Sequence, residues 1–117
     1  MTELAAINRF AVMLIPTEAY LEWNKSCPDG DPNTTLADVQ DEPTVYLLPE
    51  TNADLDSHLR RYYKTIFTKE LGSWCTDPSL WPKDLSFETF KEFYTIHLSE
   101  MVSDLGSGRI VKDDEDD

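Results

Sequence analysis

Tyr94-Thr95-Ile96-His97-Leu98 is the stretch on which the fold turns. It follows a helical pattern that opens at Ser86, and it has two readings. Either the helix runs on to Leu105, or it stops near Phe93 and an alternating segment with β-branched residues begins a strand. Alternation favours the strand. The sequence then predicts a small α+β domain, a three-stranded sheet from about residues 9–15, 44–48 and 94–104 with helices packed across it. The other reading leaves two strands and a longer final helix.

Upstream of that stretch, Ser86 is placed as a helix N-cap, and Leu85 with Phe90 have the spacing of a hydrophobic staple. Before it, Ser73 to Leu85 forms a loop whose indoles, Trp74 and Trp81, are too large to leave wholly in water, so it should be packed. The longest helix precedes the loop. Asn52 is its expected cap, Leu55, Leu59, Tyr62 and Ile66 recur at three-to-four spacing, and Gly72 is its expected stop. This helix should cover one face of the sheet.

Further towards the N-terminus, Thr44-Val45-Tyr46-Leu47-Leu48 reads as a strand bounded by Pro43 and Pro49. Phe10-Ala11-Val12-Met13-Leu14-Ile15 is a continuous apolar run stopped by Pro16, and predicts a central strand covered on both faces. Thr17 can cap a short helix with Tyr20, Leu21 and Trp23 pointing inward and Glu18 and Glu22 in water. Ser26 to Thr34 is turn chemistry and the expected mobile loop. Thr35 to Asp38 opens one more helical turn before Pro43.

Downstream, Gly106-Ser107-Gly108 and Asp113-Asp114-Glu115-Asp116-Asp117 predict a hinge and an acidic tail. The expected organisation is one domain over residues 1–106 and a flexible acidic tail over 107–117. No internal repeat recurs at a fixed period.

Charge bounds the function. Twenty-three acidic residues against ten basic ones leave a net charge of −13, which opposes direct binding to nucleic acid or to an anionic membrane. With 40% hydrophobic residues, 13 of the residues being aromatic, the body of the chain is expected to fold. Cys27 and Cys75 are too few for a disulfide framework and suit a reducing cytoplasm. No basic residue precedes Arg9, and the run from Phe10 to Ile15 is too short for a signal core or a membrane span.

Candidate chemistry is sparse. Cys27, His58, Cys75 and His97 are the soft ligands from which a zinc site would be built, but each stands alone in sequence, whereas structural zinc sites use closely spaced pairs. Cys75 as a nucleophile with His97 as its base would require the fold to bring them together. Glu18 with Glu22 and Glu88 with Glu92 read as solvated helix surface, and the four glycines lack the strand–loop–helix context of a phosphate cradle. No cofactor is implied.

Two features suggest contact with a partner. Arg60, Arg61, Lys64 and Lys69 concentrate basic charge on the long helix, either to dock an acidic partner or the acidic tail, or to pair along the helix, as Asp56 with Arg60 would. Trp74 and Trp81, in a proline-rich loop with acidic neighbours, could anchor a protein.

Glu42-Pro43-Thr44-Val45-Tyr46-Leu47-Leu48-Pro49-Glu50, Trp74 with Asp77-Pro78-Ser79-Leu80-Trp81-Pro82, and Met101-Val102-Ser103-Asp104-Leu105 form a further pattern with Arg9-Phe10. In these stretches the chain resembles a group of small acidic bacterial proteins of uncharacterised function. The resemblance implies no catalytic or binding residue; it implies that the Met101 stretch is strand-like. The leading functional reading is a non-enzymatic cytoplasmic protein that binds another protein through an acidic surface. A sharper form is a neutraliser of a basic nucleic-acid-handling protein, either an immunity protein or a DNA mimic. The competing class is a small enzyme using Cys75 and His97, or His58.

Overall fold

The computed structural model describes residues 6–112, so the acidic run Asp113–Asp117 of the predicted tail lies outside the described residues. Three strands form one antiparallel sheet: β1 (Arg9–Pro16) in the centre, β2 (Thr44–Pro49) on one side and β3 (Tyr94–Ser99) on the other. Among the described residues four α-helices accompany it: α1 (Glu18–Ser26), α2 (Leu36–Gln40), α3 (Leu55–Trp74) and α4 (Phe87–Phe93). The protein is an α+β fold, and Tyr94 does begin a third strand. No helix among the described residues is long and apolar enough to cross a membrane.

Register explains which side of the sheet is covered. Val12 of β1 stands between Tyr46 and Leu98, and Leu14 between Thr44 and Ile96. Val12 and Leu14 are buried, and with Leu48 and Tyr94 they meet Leu59, Ile66, Phe67 and Leu71 of α3 and Phe87, Phe90 and Phe93 of α4 in one core. Each such side chain contributes roughly 1.5–3 kcal/mol by leaving water. Phe67 stands at the centre, its ring 5.3 Å from that of Phe90 and 5.6 Å from that of Phe93. The long helix thus covers one face, as its periodicity predicts.

The other face is not covered, which corrects the expectation that β1 is enclosed on both sides. Met13 alternates with Val12 and Leu14 and turns to solvent. A continuous apolar run was the basis for two-sided burial, and period-two geometry sends its odd members outward whatever their polarity.

Local chemistry moves several element ends. Asp54, not Asn52, caps α3, its carboxylate accepting from the Ser57 N–H at 2.8 Å. The helix passes through Gly72 without a positive φ and ends at Trp74. β3 ends at Ser99 rather than near residue 104, because the Ser99 hydroxyl accepts from the Met101 N–H and donates to its carbonyl, diverting the backbone from the ladder. Pairing resumes only as an isolated bridge between Ala6 and Ser103, flanked by the Ile7 N–H donating to Val102 O at 2.7 Å. The strand-like expectation for Met101 is therefore met at Ser103 alone.

Other caps follow the sequence closely. Thr35 and Asp38 form a reciprocal capping box on α2, and Ser86 caps α4 through the Thr89 N–H. Thr17 occupies the N-cap position of α1, yet its hydroxyl donates to Glu92 O while its N–H donates to Phe93 O at 2.9 Å. The start of α1 is thereby joined to the end of α4, close to where β3 begins.

Candidate functional site

The solvent face of the sheet is built from alternate positions of all three strands. Met13 has Val45 on one side and His97 on the other; the next row places Ala11 between Leu47 and Ser99. Met13, Val45 and Leu47 are 36%, 50% and 44% exposed. A contiguous exposed apolar centre marks a face suited to contact. Acidic residues stand at the strand ends: Asp41 and Glu42 before β2, Glu50 after it and Glu100 after β3, all exposed. Glu50 and Glu100 share a recess with Phe10, Thr51 and Asn52. Arg9, Leu47 and Pro49 border a second groove, completed by Ile7, Ile110 and Lys112.

The tryptophans divide. Trp81 packs against the core and its indole N–H donates to Cys75 O at 2.8 Å, so most of its binding capacity is used internally. Trp23 does the same from α1, donating to Leu80 O at 3.0 Å. Between them these indoles fix the loop after α3, which contains a 3-10 turn over Pro78–Leu80 capped by Asp77. Trp74 remains 39% exposed and lines a cleft.

On α3, Arg60 pairs with Asp56 at 3.3 Å and lies over the Phe87 ring at 4.4 Å, with the Lys91 ammonium 4.8 Å from the same ring. Helix-face pairing therefore engages Arg60, as the Asp56–Arg60 spacing suggests. Arg61 and Lys64 are exposed on the same helix.

The four soft ligands do not converge. His58 is buried under the end of β2, a ring nitrogen 2.6 Å from Pro49 O and its ring edge-on to Phe10 and Tyr62. His97 lies on the solvent face of the sheet. Cys27 and Cys75, by contrast, line one cleft of about 360 Å³, together with Pro28, Asp29, Trp74, Thr76, Asp77 and Leu80. That cleft contains no histidine, so the geometry does not assemble the Cys75–His97 pair. Among the described residues, no three His, Cys, Asp or Glu side chains are grouped to hold a metal ion.

A polar group of a different kind lies inside the fold. The Tyr46 hydroxyl donates to Glu70 Oε2, and Asn24 Nδ2 donates to the Tyr20 hydroxyl at 3.4 Å. Burial, above all, raises the pKa of Tyr20, Tyr46 and Tyr94, and the Glu70 charge adds to the shift in each case. These phenols hold their protons at neutral pH.

Sequence reading missed the Met13, Val45 and Leu47 face and the meeting of Cys27 with Cys75. The first had a signal in the alternation of Val45 and Leu47 with Tyr46 and Leu48. The second had none, since the two thiols stand 48 positions apart and meet only in the cleft that the fold forms. No protein-family model, no curated protein and no solved structure matches the chain.

Proposed function

We propose that the protein is a non-enzymatic cytoplasmic binding module that docks a basic protein on the uncovered face of its sheet. The observation that carries this reading is the row Val45–Met13–His97 with Leu47 beside it, an apolar centre left open to solvent on a sheet whose strand ends carry Asp41, Glu42, Glu50 and Glu100. A partner suited to it carries apolar side chains for the centre and Lys or Arg for the rim. The net charge of −13 would steer such a partner and repel nucleic acid. A basic nucleic-acid-handling protein is one member of this partner class. Two free thiols agree with a reducing compartment.

The test compares the wild-type chain, Val45→Asp and Trp74→Ala, each immobilised and exposed to lysate of the native host, with elution by salt and identification by mass spectrometry. Circular dichroism checks that both variants are folded. Basic proteins released at moderate salt, lost from Val45→Asp and kept by Trp74→Ala, are the expected result. Capture that survives Val45→Asp, or that selects acidic partners, overturns the proposal.

A further inference from the structure

Cys27 is the C-cap of α1 and Cys75 the C-cap of α3, so the ends of two helices present sulfur to the same cleft. Cys27 is buried and Cys75 partly exposed. Each thiol is held only weakly: Cys27 Sγ donates to Trp23 O at 3.4 Å and Cys75 Sγ to Asp77 O at 3.8 Å. Backbone N–H groups at each site are already engaged, Cys27 N with Asn24 O and Cys75 N with Leu71 O, so the caps themselves do not depend on the sulfurs. The carboxylate of Asp77 is occupied by the Ser79 N–H and hydroxyl, leaving the two sulfurs as the cleft's reactive pair.

We infer that Cys27 and Cys75 form a reversible dithiol–disulfide pair, a modification site that closes across the cleft when the protein meets a small-molecule disulfide. In the first step the Cys75 thiolate, the more accessible of the two, attacks one sulfur of the small disulfide; a mixed disulfide forms at Cys75 and one small thiolate leaves. In the second, the Cys27 thiolate attacks Cys75 Sγ, the protein disulfide forms and the second small thiolate leaves. The protons of both cysteine thiols pass to the two released thiolates. The protein loses two electrons, and the small disulfide gains them.

The surroundings fit this order. Burial pushes the Cys27 thiol pKa up, and proximity to Cys75 raises it further while Trp74 opposes the shift, so Cys27 acts second, once its neighbour is already bonded. The Asp29 charge adds in the same direction. In a reducing cytoplasm such a bond would be transient and responsive to oxidation. It would tie the end of α1 to the end of α3 beside Trp74, whose emission reports on the cleft.

The experiment equilibrates the full chain in buffers of stepped reduced-to-oxidised glutathione ratio, quenches with an alkylating reagent, and reads intact mass and peptide linkage. Wild type should pass to a monomer that takes up no reagent, lighter by two hydrogens, with one Cys27–Cys75 cross-linked peptide and altered Trp emission. Cys27→Ser should stop at glutathione on Cys75. Cys75→Ser, altered at the more exposed position, keeps the test valid if the Cys27 variant folds poorly; it should not yield the intramolecular species. Wild type that retains two alkylatable thiols, carries glutathione without closing, or links chains to one another under the most oxidising buffer overturns the inference.

Discussion

The Tyr46 hydroxyl on the edge strand donates to Glu70 of α3 at 2.5 Å, joining β2 to the helix that covers the sheet. The bond spans 24 positions, and its acceptor is a carboxylate in a part-buried setting. Hydrogen bonds to charged groups contribute about 1.5–3 kcal/mol. Tyr46→Phe should therefore lower stability by about that amount while leaving the ring's packing in place. A shift of the urea midpoint with an unchanged slope is the expected measurement; an unchanged midpoint would show that the pair contributes nothing.

The same interior sets an alkaline limit. The pKa of Tyr94 and of Tyr46 is raised mainly by burial, that of Tyr46 also by its bond to Glu70, and that of Tyr20 is raised by burial despite an opposing bond to Asn24. The folded state then holds these protons more tightly than the unfolded chain does. The stability they confer is complete below about pH 10 and falls as pH rises above it. Phenolate absorbance from these three tyrosines should appear together with loss of the far-UV circular dichroism signal. Ionisation of all five tyrosines of the chain while that signal stays native would contradict the linkage.

Phe67 supplies a test of the core. Its side chain is fully buried and its ring neighbours those of Phe90, Phe93 and Tyr94. Phe67→Ala should cost about 3–5 kcal/mol, a large part of the total stability of a domain this size. Near-UV circular dichroism and thermal melting should show loss of fixed packing in Phe67→Ala and its retention in Phe67→Leu. A melting temperature for Phe67→Ala close to that of the wild type would place the core elsewhere.

Much of this architecture was legible because the local and tertiary preferences agree. Thr95 and Ile96 are β-branched, alternate in polarity and follow an aromatic helix face, so helix and strand part at Tyr94 in both the sequence and the fold. Ser86 and Thr35 bear hydroxyls that accept from the backbone N–H three positions on, as helix caps do. Where two residues could serve equally, sequence did not discriminate: Asn52 and Asp54 are both good caps, and the Ser57 N–H selects Asp54. Thr17 found a stronger use outside its own helix. The apolar Phe10–Ile15 run hid the alternation that exposes Met13, because hydrophobicity does not report which face has a layer above it. At Trp81 a proline-rich loop folds an indole back so that its N–H donates to Cys75 O at its own helix end.

Two glycines make opposite predictions. At Gly30, a Cβ would stand 2.5 Å from Asn24 O, 2.8 Å from Lys25 O and 3.0 Å from Cys27 O, all backbone atoms at the end of α1. Those carbonyls cannot swing aside, so Gly30→Ala should destabilise by about 1–3 kcal/mol, as overpacking commonly does. At Gly72, inside α3 and without a positive φ, a Cβ would meet the Trp81 ring at an ordinary 3.6 Å. Alanine there removes backbone freedom from the unfolded chain and should stabilise by up to about 1 kcal/mol. Parallel thermal melts should move in opposite directions. If Gly72→Ala melts below the wild type, α3 does not continue through that position as a regular helix, and its end lies where the sequence alone would put it.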